Sequence, residues 1–405
     1  MKTALKKANI LLPVNTPMEK WSVVACDQFT AQPEYWQKAE DIVGSAPSTL
    51  RITLPEVYLS ESEIRVPAIH TAMKEYLDKG VLAEAVNGFV LVERITESGV
   101  RPGLMVALDL EEYDYSKGSA SLIRATEGTV ASRVPPRAKI RSGAPLEAPH
   151  VMMLIDDPAC TVIEPLYERR NALRSLYDFD LMLGGGHLNG WAVENEDADG
   201  VFAAIEKLAE TCDGLLYAVG DGNHSLAAAK MCWNQIRETL TEEERENHPA
   251  RHALVELVNL NCPALVFEPI HRILFNVDSA DLLSGLRACL NERGEGDAEG
   301  NDLIVFDDNT QMGFKSVQHP LPLLQQYLDE YLAAHPEVEI DYIHGDDALR
   351  ELVNKHPNSM GFMPRAFDKA ELFDSIRKWG VLPRKTFSMG EAVEKRYYTE
   401  TRRIL

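Results

Sequence analysis

Residues 218–230 read AVGDGNHSLAAAK: an apolar run, then Asp221, Asn223 and His224 set among Gly220, Gly222 and an alanine-rich segment. These types and spacings suit two tasks. One is local: a strand ends, the glycines turn the chain, and Asn223 or Ser225 caps a helix over 226–233. The other is chemical: a helix N-terminus offers unpaired N–H groups and partial positive charge, which suit a phosphate. There His224 can donate to the phosphate or take a proton near neutral pH. Asp221 would need a cation, a hydroxyl or a base as its partner. The stretch carries neither GxxxxGKS/T nor GxGxxG, so it is a phosphate loop of neither kind.

Three further groups could do chemistry. With 41 basic and 63 acidic residues the net charge is −22, yet residues 116–148 concentrate Arg124, Arg133, Arg137, Lys139 and Arg141 among Gly, Ser and Pro. Such a loop is either solvated or anion-binding, since guanidinium forks match phosphate and carboxylate. In WSVVACDQFTAQPEYW, Asp27 follows an apolar strand, with Gln28 and Glu34 close behind. Asp27 either caps a turn or stands at a functional strand end, and Cys26 reads as a buried, inert thiol. Asp156 and Asp157 end the buried run VMMLIDD, where they either face solvent or help hold Mg²⁺ with a nucleotide. The 6 cysteines form no CxxC pair and the histidines no HxH or HExxH, which argues against a zinc site. Scattered free thiols also fit a cytoplasmic protein.

The elements that must position these groups alternate along the chain. NILLP, VNGFVLVERIT and PGLMVALDLEEYDY read as strands. PEYWQKAEDIVG, with proline inside its start and glycine at its end, reads as a helix. Residues 66–79 form an amphipathic helix closed by Gly80, and GGGHLNG is a tight turn between strands. The pattern predicts an α/β fold: a main domain over 1–275 and a smaller C-terminal α/β lobe over 276–405, whose last segment returns to the main one. No apolar run is long enough to span a bilayer, and the acidic balance argues against a nucleic-acid surface.

The strand, Asp-Gly-x-His and alanine-bearing helix resemble the signature of the family catalogued as domain of unknown function 1015, which typically shows Asp-Gly-His-His-Arg. Three companion motifs follow the same order: LIRATEGTVASR for Arg-x-x-Glu-x-Thr, EPIHRILF for Pro-x-His-Arg, and VLPRKTFSM for Leu-Pro-x-Lys-Ser/Thr. The element is also similar to the turn of the ParB-like and sulfiredoxin-like nucleotide-binding fold. Free serine kinases in that superfamily phosphorylate a small amino acid. The resemblance implies a ParB/sulfiredoxin-like mixed sheet, ATP or ADP with Mg²⁺, and a small-molecule substrate.

Carried over by residue, Asp221, Gly222 and His224 hold motif positions. Arg124, Glu127 and Thr129 hold the second motif, His271 and Arg272 the third, and Lys385 with Thr386 the fourth. Asn223 replaces the first histidine. Ser225 replaces the arginine that grips phosphate, so Arg124, Arg133, Arg137 or Arg272 must compensate. The implied activity is a phosphotransferase acting on a serine-like hydroxyl, with Asp27, Glu34 or Asp221 taking its proton. Two readings stand beside it: a nucleotide hydrolase and a non-catalytic nucleotide or phosphometabolite sensor. A ParB-like DNA-binding role conflicts with the charge. A homodimer is the default expectation for assembly.

Overall fold

A computed structural model describes residues 3–292, 299–316 and 319–405. The chain divides into two compact units, Met1–Val266 with Gly390–Leu405, and Phe267–Met389. The strand Phe267–Phe275, which carries His271 and Arg272, therefore belongs to the second unit.

The first unit is built on a 13-stranded mixed sheet. His252–Asn259 runs parallel to Met152–Ile155 and antiparallel to Gly99–Asp109. Tyr217–Asp221 runs parallel to Ile123–Ala125 and antiparallel to Met152–Ile155. The long strand Leu82–Thr96 pairs with Ala8–Pro13 through its first half and with Gly99–Asp109 and His187–Val193 through its second. Its middle is continuously apolar because both faces are covered. Phe89 and Leu91 enter one core with Leu104 and Val106, while Val90 and Val92 enter the other with Met105 and Ala107. This is the two-residue period of a strand buried on both sides.

Helices cover those faces. Asn195–Ala209 buries Ala198, Val201, Ile205 and Ala209, one stripe at helical spacing. Pro33–Val43 ends at Gly44, whose φ of 56° with ψ −126° is a backbone conformation that favours glycine. The helix expected over 66–79 starts earlier, at Ser62, and runs to Asp78. Pro67 thus sits inside it, where proline removes one rung of the ladder without ending the helix. Of GGGHLNG, only the glycines turn. His187–Val193 is already strand, paired with Arg174–Asp180.

The second unit is a six-stranded sheet in which all pairs are antiparallel. Phe267–Phe275 pairs with Glu339–His344, Ser359–Pro364 and Phe387–Met389. The helices Ser279–Asn291 and Leu321–Ala334 bury Leu286 and Leu328 against Leu274, Met360 and Phe362.

The C-terminal segment is part of the first unit. Thr401–Arg403 pairs with Ala8–Pro13 on one side and Leu146–Glu147 on the other. Its charges are buried and paired: Arg396 with Glu256 and Glu400, Glu400 with the Tyr177 hydroxyl, and Arg402 with Glu147. Removing one member strands the others in low dielectric. We expect Glu256→Ala to cost about 3–5 kcal/mol, whereas Lys7→Ala, which breaks a largely exposed pair with Asp199, costs under about 1 kcal/mol. Urea unfolding of the two variants checks the contrast.

Candidate functional site

The strand Tyr217–Asp221 delivers the chain to Gly222, which adopts φ 81°. Only glycine serves there: a Cβ would stand 3.0 Å from Val151 Cα as well as strain the backbone. The helix then runs Asn223–Arg237, longer at both ends than expected. The anticipated cap by Asn223 or Ser225 is absent. Gly222 holds the cap position, no side chain bonds the first turn, and both polar residues lie inside that turn. Asp221 folds one oxygen back onto the Gly222 N–H at 2.9 Å and points the other toward Lys395 Nζ at 3.5 Å.

Ser225 is turned to a different partner. Its Oγ lies 3.2 Å from His150 Nε2, and Asp27 Oδ2 approaches the same nitrogen at 3.7 Å. On the far side of the ring, His150 Nδ1 lies 2.7 Å from the Tyr398 hydroxyl, which accepts the Cys26 N–H at 3.1 Å. Nε2, facing Ser225 and Asp27, carries a proton, and Nδ1 shares a hydrogen bond with the Tyr398 hydroxyl. This differs from a Ser-His-Asp relay, in which the acid holds the opposite nitrogen from the serine. Ser225 therefore does not read as a nucleophile.

The charges are sorted by environment. Burial pushes the Asp27 carboxyl up, but His150, a 3.0 Å hydrogen bond from Gln28, Lys395 and Arg137 outweigh it and hold the acid below its ordinary range. Burial, Arg137 and Arg133 together drive His224 down to about 4. At neutral pH its ring is uncharged, and Nε2 accepts the Val130 N–H at 3.2 Å, so the proton sits on Nδ1. His224 is a hydrogen-bond donor here, not a base near pH 7. Burial, then the charge of Asp27, pushes the Cys26 thiol up to about 12. A thiol so held is protonated at neutral pH, although Cys26 is half-buried and not fully enclosed as the sequence suggested. Glu56 pairs with Arg137, and burial lifts its carboxyl above the ordinary value. Two polar atoms near this entrance, Asn223 Oδ1 and Thr129 Oγ1, are buried without a hydrogen-bond partner. Such groups cost free energy until something satisfies them.

The remaining expected residues are distributed elsewhere. Arg124 is buried and donates to the carbonyls of Ser121 and Gly214 at 2.8 and 2.9 Å. That is a brace for turns. Glu127 is half-buried next to Thr126, whose hydroxyl bonds the Val219 carbonyl at 2.7 Å. Gly220 is the extra residue at a register shift between Val219 and Asp221, where the strand pairs with Met152–Ile155. Glu34 is exposed in the first turn of Pro33–Val43 and, among the described residues, makes no hydrogen bond or ion pair with the Asp27 cluster. Of the four arginines proposed to compensate for Ser225, Arg133 and Arg137 act on His224.

Within the second unit, Arg272 is fully buried and donates to the Arg384 and Lys385 carbonyls at 3.1 and 2.8 Å. Two motifs read as ligand-binding thus meet as one brace. The Lys385 backbone (φ 57°) takes part in it, and His271 pairs with Asp346 at 2.8 Å.

Asp157 spends both oxygens on Thr161 and on the Val162 N–H, and Asp156 accepts from Asn261 at 3.2 Å. Among the described residues no group of three or more His, Cys, Asp or Glu is disposed to hold a metal. The pair does not fit a protein-held Mg²⁺.

His150, Glu56, Lys395 and Tyr398 are the members that the sequence did not single out. His150 stood one residue before a buried strand. KRYYTETRR offered one signal only: so polar a strand can be buried only if its charges find partners.

Fold and site define a mixed α/β protein with an anion-suited helix entrance beside an ionised aspartate. Residues 12–339 match the family described as Protein of unknown function (DUF1015), and the chain belongs to that family. No curated protein matches it. Among solved structures it is similar to a variant free serine kinase in complex with ADP, at 10% identity and a TM-score of 0.41, over 73% of this chain and 91% of that one. It is also similar to a conserved hypothetical protein from Pyrococcus furiosus (12%, TM-score 0.37, 73% and 90%). A third is a C-terminally truncated SbnI from Staphylococcus aureus (8%, TM-score 0.37, 74% and 81%).

His224 also sets a pH dependence. Its folded value lies below its unfolded one, so the unfolded chain binds the proton first, and stability is full above about pH 6.5 and falls as pH drops toward 4. His252 and His319, also held at about 4, act in the same window. Unfolding free energies at pH 7 and 4.5 should therefore differ less in His224→Gln than in the parent; an unchanged difference would remove the assignment.

Proposed function

We propose that the first unit is a phosphotransferase that moves a phosphoryl group from ATP or ADP to the hydroxyl of a serine-like small metabolite. One observation carries the reading: a half-buried aspartate kept ionised, Asp27, shares His150 with the opening turn of an uncapped helix. The helix N–H groups and the His224 Nδ1–H supply donors for phosphate oxygens. Arg137 and Arg133 supply the cationic field that the missing arginine would have given. Thr129 and Asn223 are the unsatisfied groups that a bound nucleotide would partner. The strand-to-helix entrance supports a ParB/sulfiredoxin-like description of the core.

In the transfer, the acceptor oxygen bonds to the terminal phosphorus as the bridging P–O bond breaks. The nucleotide leaves with that electron pair. Asp27 orients the hydroxyl and takes its proton late, as transfer makes it acidic. Lys395, held by Asp221, keeps Asp27 charged beforehand.

A second reading, binding without transfer, is favoured by the pairing of Arg137 with Glu56, which neutralises the nearest guanidinium. The test uses ³¹P NMR with ATP or ADP, added Mg²⁺ and a panel of hydroxy compounds, alongside nucleotide-induced thermal stabilisation. We expect a new phosphate ester in the parent. Asp27→Asn should lower its formation by about 10²-fold or more with little change in nucleotide affinity, while Arg137→Gln weakens affinity. Stabilisation by nucleotide with no ester from any acceptor overturns the transferase in favour of the sensor.

A further inference from the structure

Beside this cluster lies a cavity of 130 Å³, well above the about 15 Å³ that one water needs. Its wall is mainly apolar, including Ile140, Leu146, Leu226, Ala228, Ala229 and Leu254. Besides Thr53, Cys26 and Arg137, whose guanidinium is taken up by Glu56, polar groups enter the wall as two sets. One is His150, Ser225 and Tyr398, joined by hydrogen bonds. The other is Arg141 with Glu147, ion-paired at 2.7 Å.

The second set is unbalanced. Glu147 is shared between two guanidiniums, since its other oxygen takes Arg402 at 2.6 Å and the Leu254 N–H at 3.0 Å. Two positive charges thus meet one negative charge. Arg141 Nη2 is buried and has no hydrogen-bond partner. An orphaned, charged N–H just behind an apolar cavity wall is costly, and a carboxylate that reached it would give it a charge-assisted hydrogen bond and the missing charge. A ligand ammonium has no counterpart: Glu147 is the one acid on the wall among the described residues, and both its oxygens are occupied.

We infer that this cavity binds a small aliphatic carboxylic acid, its carboxylate on Arg141 and its chain along the alanine face of Asn223–Arg237. Combined with the phosphotransferase reading, on which this last step rests, the acceptor is a hydroxy acid with its hydroxyl near Asp27 and His150, and not an α-amino acid.

Calorimetric titration of the full chain without nucleotide tests the site, using butanoate, hexanoate and octanoate, with 1-hexanol and norleucine as controls. At least one acid binds, and the matching alcohol and the amino acid bind at least tenfold more weakly. Arg141→Gln loses at least tenfold of the acid's affinity. Ala229→Leu, which narrows the cavity and leaves every charge in place, loses it too and decides the matter if Arg141→Gln fails to fold. Thermal unfolding verifies both variants. The site is overturned if none of the acids binds, if norleucine binds as well as hexanoate, or if acid binding survives in the folded variants. Acid binding with no phosphorylation of 6-hydroxyhexanoate or any other hydroxy acid sinks the transferase and leaves the site. Phosphorylation of hydroxy compounds regardless of a carboxylate, without acid binding, does the reverse.

Discussion

Burial of the C-terminal charges is the constraint on which the first unit depends. Arg396, Glu256, Glu400, Glu147 and Arg402 are each at least nine-tenths buried. Ions in such surroundings are tolerable only when every member finds its partner. Within the segment Gly390–Leu405, the strand Thr401–Arg403 therefore docks between strands far away in the chain. Arg396 locked onto Glu256 fixes the neighbours on either side. Lys395 then reaches Asp221, and Tyr398 reaches His150. A network that looks like a structural expense is what gives the site its second wall.

That wall explains how opposite protonation preferences coexist in a small volume. Asp27 and His224 both lose solvent, which penalises charge on each. Asp27 is surrounded by His150, Lys395, Arg137 and the Gln28 amide and stays ionised. His224 meets the same guanidinium of Arg137, which for a cation is repulsive, and stays neutral. One arginine thus sets two groups in opposite senses. The site offers one fixed anion, one neutral donor and a free helix terminus.

Much of this was legible in the sequence, for reasons specific to each part. The glycine turn and its helix were legible because φ 81° at Gly222 demands glycine and because apolar periodicity marks the flanks. Asp27, Arg133 and Arg137 were legible as polar residues where strands and basic loops concentrate chemistry. For Arg272 and Lys385 a motif records that residues recur, not what they touch: the guanidinium braces the backbone that carries the lysine. Asp157 looked like a metal ligand because a strand-end carboxylate looks the same whether it binds a cation or the N–H groups of its own turn. His150 and Tyr398 were invisible as a pair, since no local spacing relates residues 248 positions apart.

The first unit is interrupted in sequence by Phe267–Met389. During synthesis Asp27, His150, Arg137 and the helix Asn223–Arg237 all emerge before that interruption, and Lys395 and Tyr398 only after it. Until then Glu256 has no Arg396, and the sheet lacks the strand between Ala8–Pro13 and Leu146–Glu147. The nascent chain thus carries His150 and the helix entrance without the tyrosine whose hydroxyl meets His150 Nδ1. Order of translation completes this cluster of side chains only after the second unit has been made.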